Sequence, residues 1–362
     1  MVPKRRESLS PYHRILSGTP ARHILLPVVQ IFGWCRNCWV TNLCRPHRSI
    51  QRSRLIPSAT CSTPRIPGPG HRPGIDLRPW RKTVRRWAPR AVRARFSRPT
   101  AIVFSRSARV IALCNQKGGV GKTTTTISLA GALAEYGRNV LLVDFDPQGA
   151  LSSGMGVSTH DAPTIYDGLI GKESDVRTLI QPTKVDGIHV IPANIDLSAA
   201  EVHLVSEVAR EHILANLLKP VLADYDVVLI DCQPSLGLLT VNALTAAHGV
   251  LIPLEAEYFA LRGVALLIDT IEKVQQRLNP SLQLDGIVAT MYDARTLHAK
   301  EVLERVVEGF GDKVLDTVIG RTVKFPDASV AAMPITEFAP KHASAETYRQ
   351  LARELVARGA IA

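Results

Sequence analysis

From Arg109 onward, apolar runs of strand length alternate with helical stretches, and no other feature of the 362-residue chain constrains its fold as much. The runs are Val110–Cys114, Val140–Val143, His189–Ile191, Val227–Ile230, Val250–Leu254, Ile287–Met291 and Val314–Ile319. Helical patterns fall between or after them at Thr123–Tyr136, Leu236–Ala247, Leu261–Leu278, His298–Phe310 and Ala345–Arg358. Short buried strands separated by helices imply an α/β fold with a mostly parallel sheet flanked by helices on both faces. Ligands of such sheets bind beyond the carboxyl ends of the strands. The residues that follow the strands are therefore where chemistry is expected.

After the first strand comes Gln116-Lys117-Gly118-Gly119-Val120-Gly121-Lys122-Thr123-Thr124. A phosphate loop reads G-x-x-x-x-G-K-[ST], and Gln116 takes the place of its first glycine. The rest fits the physics of holding phosphate. Gly118, Gly119 and Gly121 let backbone N–H groups, that of Val120 included, close around anionic oxygens. A helix starting at Lys122 points its positive end at the same anion. Lys122 is expected to reach the β- and γ-phosphates, and the Thr123 hydroxyl to coordinate Mg²⁺. The second strand runs into Asp144-Phe145-Asp146-Pro147-Gln148-Gly149, and another ends Ile230-Asp231-Cys232-Gln233-Pro234. An aspartate closing a buried strand is the Walker B arrangement, which places Asp231 near Mg²⁺, through water. Thr183-Lys184-Val185-Asp186 matches a guanine-recognition motif, but it precedes the Asp231 strand where that motif should follow it. ATP is thus favoured over GTP.

Lys117 is a second lysine on the upstream side of the glycines. K-G-G-x-G-K-[ST] is the deviant Walker motif of the ParA/MinD group, which this loop resembles throughout. "LLVDFDPQG", "LIDCQPSLGLLTVNAL", "EYFALRGVALL" and "MYDARTLHAKEV" resemble the ParA branch, particularly its short Soj type, over nearly all of residues 109–358. The resemblance implies a P-loop ATPase that uses ATP and Mg²⁺, forms a homodimer in the ATP state and binds DNA without sequence preference. It implies that a ParB-like centromere-binding partner stimulates a slow hydrolysis, and that the protein is cytoplasmic and nucleoid-associated. By resemblance Lys117 reaches across the dimer to the partner's nucleotide, and Asp146 acts on the attacking water. Asp144 holds the loop or supports the Mg²⁺ shell. Arg295, Arg321 and Lys324 are the DNA-binding candidates. Where the branch has "RNVRL", this chain has Arg321-Thr322-Val323-Lys324-Phe325, so the basic positions match and the middle differs. Gln233 stands where the family more often has proline.

Charge divides the chain in two. Residues 1–100 carry 21 Lys and Arg against Glu7 and Asp76, whereas the remainder carries 23 bases and 30 acids. The first 105 residues show no strand or helix period and are predicted to be a disordered basic extension, with residues 106–362 forming the ATPase domain. Sharper readings of the extension stay open: a zinc site from Cys35, Cys38, Cys44 and His47, a redox Cys35-x-x-Cys38, an organelle transit peptide, or sequence upstream of the true start. No Met lies between Met1 and Met155, so a later start needs an alternative codon. Cys114 and Cys232 fall at strand ends and read as buried thiols.

Two other functions compete. A MinD-like membrane switch for positioning cell division needs an amphipathic C-terminal helix that inserts into lipid. Here Tyr348, Leu351, Leu355 and Val356 share one face but no Phe or Trp joins them, so no stable membrane association is expected. A nucleotide-gated DNA-binding scaffold or regulator would use the same residues with hydrolysis only as a slow timer.

Overall fold

A computed structural model of the chain describes residues 107–257 and 260–361. The readings of residues 1–105, including Cys35, Cys38, Cys44 and His47, lie outside the described residues. Within them the strands are β1 (Arg109–Leu113), β2 (Val140–Phe145), β3 (Gln181–Pro182), β4 (Ile188–Ile191), β5 (Val227–Cys232), β6 (Gly249–Glu255), β7 (Gln283–Tyr292) and β8 (Val314–Gly320). They form one sheet in the order β3-β4-β2-β5-β1-β6-β7-β8. Every pairing is parallel except β3 with β4.

All seven expected strands are present, and most bury both of their faces; β8, at the sheet edge, exposes Asp316. Side chains of a strand alternate between the two faces of its sheet. Val110 and Ala112 pack with Leu239, Leu244, Leu267 and Ile271 on one face. Ile111 and Leu113 pack with Leu129, Leu133, Leu351 and Leu355 on the other. Helices Leu238–Ala246 and Ala260–Arg277 cover the first face, and Lys122–Glu135 and Ala343–Ala357 cover the second. The sequence reading missed β3 and several helices of four to seven residues, such as Ala150–Gly154, Leu197–His203 and Lys324–Val330. Elements this short complete too few turns to show a period, and tertiary contacts hold them.

The C-terminal helix Ala343–Ala357 packs on the domain. Tyr348, Leu351 and Leu355 are buried, and the Tyr348 hydroxyl lies 3.2 Å from Thr125 Oγ1 in the helix that follows the phosphate loop. Glu354 fixes the helix to β8. Its carboxylate accepts from the backbone N–H of Asp316 (2.8 Å) and of Thr317 (2.9 Å) and from Thr317 Oγ1 (2.7 Å). Arg358 pairs with it at 2.7 Å. The apolar face considered for lipid insertion is thus core. Among the described residues no helix is long and apolar enough to cross a membrane.

Removing the Glu354 carboxylate would leave the two β8 amides without their acceptor. Glu354→Ala should lower unfolding free energy by about 3 kcal/mol in urea titrations, the scale for breaking a buried charge-assisted network. A loss under roughly 1 kcal/mol, the worth of an ordinary surface pair, would contradict this role.

Candidate nucleotide site

The loop between β1 and the helix Lys122–Glu135 is anchored at its start. Asn115 is buried, donates from Nδ2 to the Pro253 carbonyl at 2.7 Å, and accepts from the Lys117 N–H at 2.9 Å. This ties the loop to the end of β6. Gly119 and Gly121 have φ of +74° and +81°, a region that favours glycine. A Cβ placed on Gly118 or Gly119 would meet nothing within 4 Å, so the loop borders open space. The helix begins after Gly121 with no side-chain cap, which leaves its first N–H groups for an anion. Lys122 is buried, with Nζ 3.4 Å from the Lys117 carbonyl. On the far side, Thr290 Oγ1 at the end of β7 donates to the Val120 carbonyl at 2.8 Å. The next residue, Met291, is held at a φ of +51°.

Strand register brings the carboxylates to the loop. Leu113 of β1 pairs with Asp231 of β5, and Asp231 pairs with Asp144 of β2. The Thr123 hydroxyl donates to Asp231 Oδ2 at 2.6 Å. Asp231 Oδ1 is buried without a protein partner. Asp144 is also buried but fully engaged, accepting from Ser152 N (2.8 Å), Ser152 Oγ (2.7 Å) and Asp146 N (3.3 Å). It therefore holds the loop, the first of the two roles weighed for it. Asp146 stands free of β2, partly exposed, and its Oδ1 accepts from the Gln148 N–H at 3.0 Å. Burial first, and Asp144 second, push Asp231 up to about 8 against the opposing pull of Thr123 and Lys122. Burial pushes Asp144 up to about 6 against its Ser152 hydrogen bonds.

This donor set fits a nucleotide with its divalent cation. An open glycine cradle, a buried lysine, a hydroxyl and a buried carboxylate oxygen lacking a partner are what a metal–phosphate complex would satisfy. Mg²⁺ would lie beside Thr123 and Asp231. Cys114 and Cys232 are free buried thiols whose sulfurs are 3.2 Å apart, and the neighbouring Cys114 thiol together with burial pushes the Cys232 thiol up.

Lys117 is committed within its own chain. Its ammonium bonds Glu255 Oε2 at 2.8 Å and also the Glu257 carboxylate. Burial opposes the charge, but the two carboxylates outweigh it and raise the ammonium pKa. Glu255 Oε1 accepts from Arg321 at 3.1 Å. The DNA-binding candidates follow adjacent strands, Arg295 after β7 and Arg321 and Lys324 after β8, so they share one edge of the carboxyl end. Arg295 grips Asp293 with two hydrogen bonds of 2.8 and 2.9 Å, and Lys324 pairs with Asp327 at 3.2 Å. The Thr183–Asp186 segment lies in the turn between β3 and β4, before the amino end of β4 and away from the phosphate loop. Sequence reasoning missed Asn115, Thr290 and the two glutamates, and it did not see that Gln233 donates to Glu201 at 3.0 Å. A polar residue directly after an apolar strand was the signal available for Asn115, and a threonine within an apolar run for Thr290.

The AAA-domain family model matches residues 108–284. An uncharacterised protein of Mycobacterium tuberculosis is 59% identical over 252 residues, 69% of this chain and 79% of that relative. The chromosome-partitioning ATPase Soj of Treponema pallidum is 49% identical over 250 residues, 69% of this chain and 98% of Soj. The chain belongs to the ParA/Soj family of partitioning ATPases. The deviant Walker loop, the strand-ending aspartates and the fold all agree with that membership. A solved structure of cobyrinic acid a,c-diamide synthase from Mycobacterium smegmatis, bound to ADP or an ATP analogue with magnesium, is 42% identical. It matches with a TM-score of 0.61, covering 69% of this chain and 94% of that one.

The buried carboxyls give the nucleotide-free protein a distinctive pH response. An unfolded aspartate ionises near 3.8, whereas folded Asp144 and Asp231 hold their protons to about 6 and about 8. Rising pH therefore favours the unfolded chain across that window, through Asp144 first and Asp231 later. Without Mg²⁺, Asp231→Asn should melt higher than wild type by a margin that grows by a few degrees between about pH 5 and 8. A margin independent of pH would contradict the burial of this proton.

Proposed function

We propose that this chain is an ATP-driven switch that dimerises with Mg²⁺–ATP bound, holds DNA without regard to sequence, and is reset by partner-stimulated hydrolysis during chromosome or plasmid partitioning. The observation that carries the nucleotide reading is the unpartnered, buried Oδ1 of Asp231 beside Thr123 at the rim of the open glycine loop. The backbone N–H groups of Lys117 to Thr124 cradle the phosphates, and Lys122 neutralises the β- and γ-oxygens. Thr123 and Asp231 would hold Mg²⁺. When bound, the ion supplies positive charge to the oxygens on which negative charge develops.

Asp146 orients the attacking water. Its place on a segment outside the sheet, fixed through Asp144 to Ser152, suits a group that moves into line as nucleotide binds. Turnover stays slow until a partner acts. Lys117 completes the site of a second copy. Arg295, Arg321 and Lys324 meet DNA phosphates on the edge formed by the ends of β7 and β8. Their present partners are carboxylates of the same chain. Exposed pairs of this kind exchange at little cost, so phosphate can replace Asp293 or Asp327. A ParB-like centromere-binding protein is the partner, and the protein works in the cytoplasm on the nucleoid.

Burial of Tyr348, Leu351 and Leu355 argues against the membrane-switch reading. The scaffold reading and the amide-forming activity in the name of the M. smegmatis structure share the nucleotide site and differ in what ATP controls. DNA binding separates them. Measured across a salt series, binding should be strong in ATP, weak in ADP, indifferent to sequence, and fall with salt at a slope of roughly −0.9 per phosphate contact. Lys122→Ala should abolish nucleotide binding, and Asp146→Ala should trap the ATP- and DNA-bound form. Equal DNA binding in both nucleotides, or normal hydrolysis by Asp146→Ala, would overturn the proposal.

A further inference from the structure

Glu255 is a two-sided contact at the carboxyl end of β6. One oxygen holds Lys117, the lysine assigned above to the partner's nucleotide, and the other holds Arg321. The glutamate side chain is only 12% exposed, whereas that of Glu257, the other carboxylate on Lys117, is 51% exposed. The two contacts therefore differ in what happens when Lys117 departs. Water can replace the ammonium at Glu257. At Glu255, whose side chain is largely shielded from water, the departure would leave an oxygen of a charged group without its donor, which proteins tolerate poorly. Arg321 is the group placed to answer that loss. Its backbone N–H is tied to the Tyr292 carbonyl at 3.2 Å, which fixes its base beside β7. Its guanidinium engages Glu255 through one nitrogen, and its planar fork can take both oxygens of a carboxylate. A lysine at this position could offer charge but not that fork.

We propose that Arg321 is a positioning residue for dimerisation: it closes on both oxygens of Glu255 as Lys117 leaves for the second copy, so that Lys117 and Arg321 exchange on one carboxylate. This rests on the reading of the protein as an ATP-dependent dimer. It also gives Arg321 a task separate from DNA, unlike Arg295 and Lys324, whose carboxylate partners lie near them in sequence on the surface. The exchange sets a direction for each substitution. Without Arg321, Glu255 keeps Lys117 as its only cation and is stranded when Lys117 goes, so the dimer becomes harder to form. Without charge on Glu255, Lys117 is held less and nothing is stranded, so Arg321 no longer matters to dimerisation.

Sedimentation of the full chain in Mg²⁺–ATP without DNA tests the exchange through a double-mutant cycle. Arg321→Ala should raise the dimer dissociation constant by about tenfold, the scale for losing one charge-assisted bond to a largely shielded carboxylate. Arg321→Lys should fall between the two. In the Glu255→Gln background, Arg321→Ala should change dimerisation by less than about twofold. Thermal melting of each variant in ADP identifies loss of fold. If that occurs in Arg321→Ala, the Arg321→Lys substitution in both backgrounds carries the same comparison. A wild-type dimer with equal weakening by Arg321→Ala in both backgrounds would overturn the exchange while leaving the proposed function standing. A wild type that stays monomeric in ATP would instead overturn the dimeric switch itself.

Discussion

The hydrogen bond from Thr123 to Asp231 joins two parts of the chain separated by more than a hundred residues, and the working site depends on it. Thr123 lies in the first turn of the helix after β1, and Asp231 lies near the end of β5. They meet because β1 and β5 are parallel neighbours whose register sets Leu113 opposite Asp231. A parallel sheet puts its strand ends, and the loops that follow them, along one edge. Here the central three strands, β2, β5 and β1, deliver Asp144, Asp231 and the phosphate loop to the same few ångströms. Packing on both sheet faces holds β1 in place, since Val110 and Ala112 meet one buried cluster and Ile111 and Leu113 the other. The same burial pushes the Asp231 carboxyl up to about 8, and a divalent cation bound there would favour the ionised form.

The two lysines of the loop show how one motif can hold two opposite electrostatic states. Lys122 is buried at the root of the helix, with Nζ 3.4 Å from the Lys117 carbonyl. Lys117 is instead paired with Glu255 and Glu257. The lysine that the proposed function assigns to a second copy is thus engaged within its own chain. Its partners come from the end of β6 and just beyond it, next to the loop in the sheet, so the edge that builds the nucleotide site also holds Lys117.

Much of this was legible in the sequence. The seven longer strands showed as apolar runs, because their largely buried faces leave few polar positions to break the run. The phosphate loop and the strand-ending aspartates could be placed on the fold without coordinates, because carboxyl ends of parallel strands are where such chemistry sits. What could not be read was of two kinds. Helices of a turn or two, such as Ala150–Gly154, carry too few residues for a period to show. Long-range polar pairings, such as Asn115 with Pro253, Glu354 with β8 and Glu255 with both Lys117 and Arg321, depend on strand order, and strand order is not written in local pattern. The glutamates of "LEAEYF" are ordinary surface charges until β6 is known to lie beside β1.

The central claim is that the site is completed by a second copy of the chain, with Lys117 as the group that crosses. Specific ATPase activity measured against protein concentration at saturating Mg²⁺–ATP tests this most directly. The account predicts that turnover per chain rises with concentration and levels off as the dimer fills, and that Lys117→Ala abolishes the rise. Turnover per chain that stays constant from the most dilute to the most concentrated sample would mean that each chain works alone, and would contradict the account.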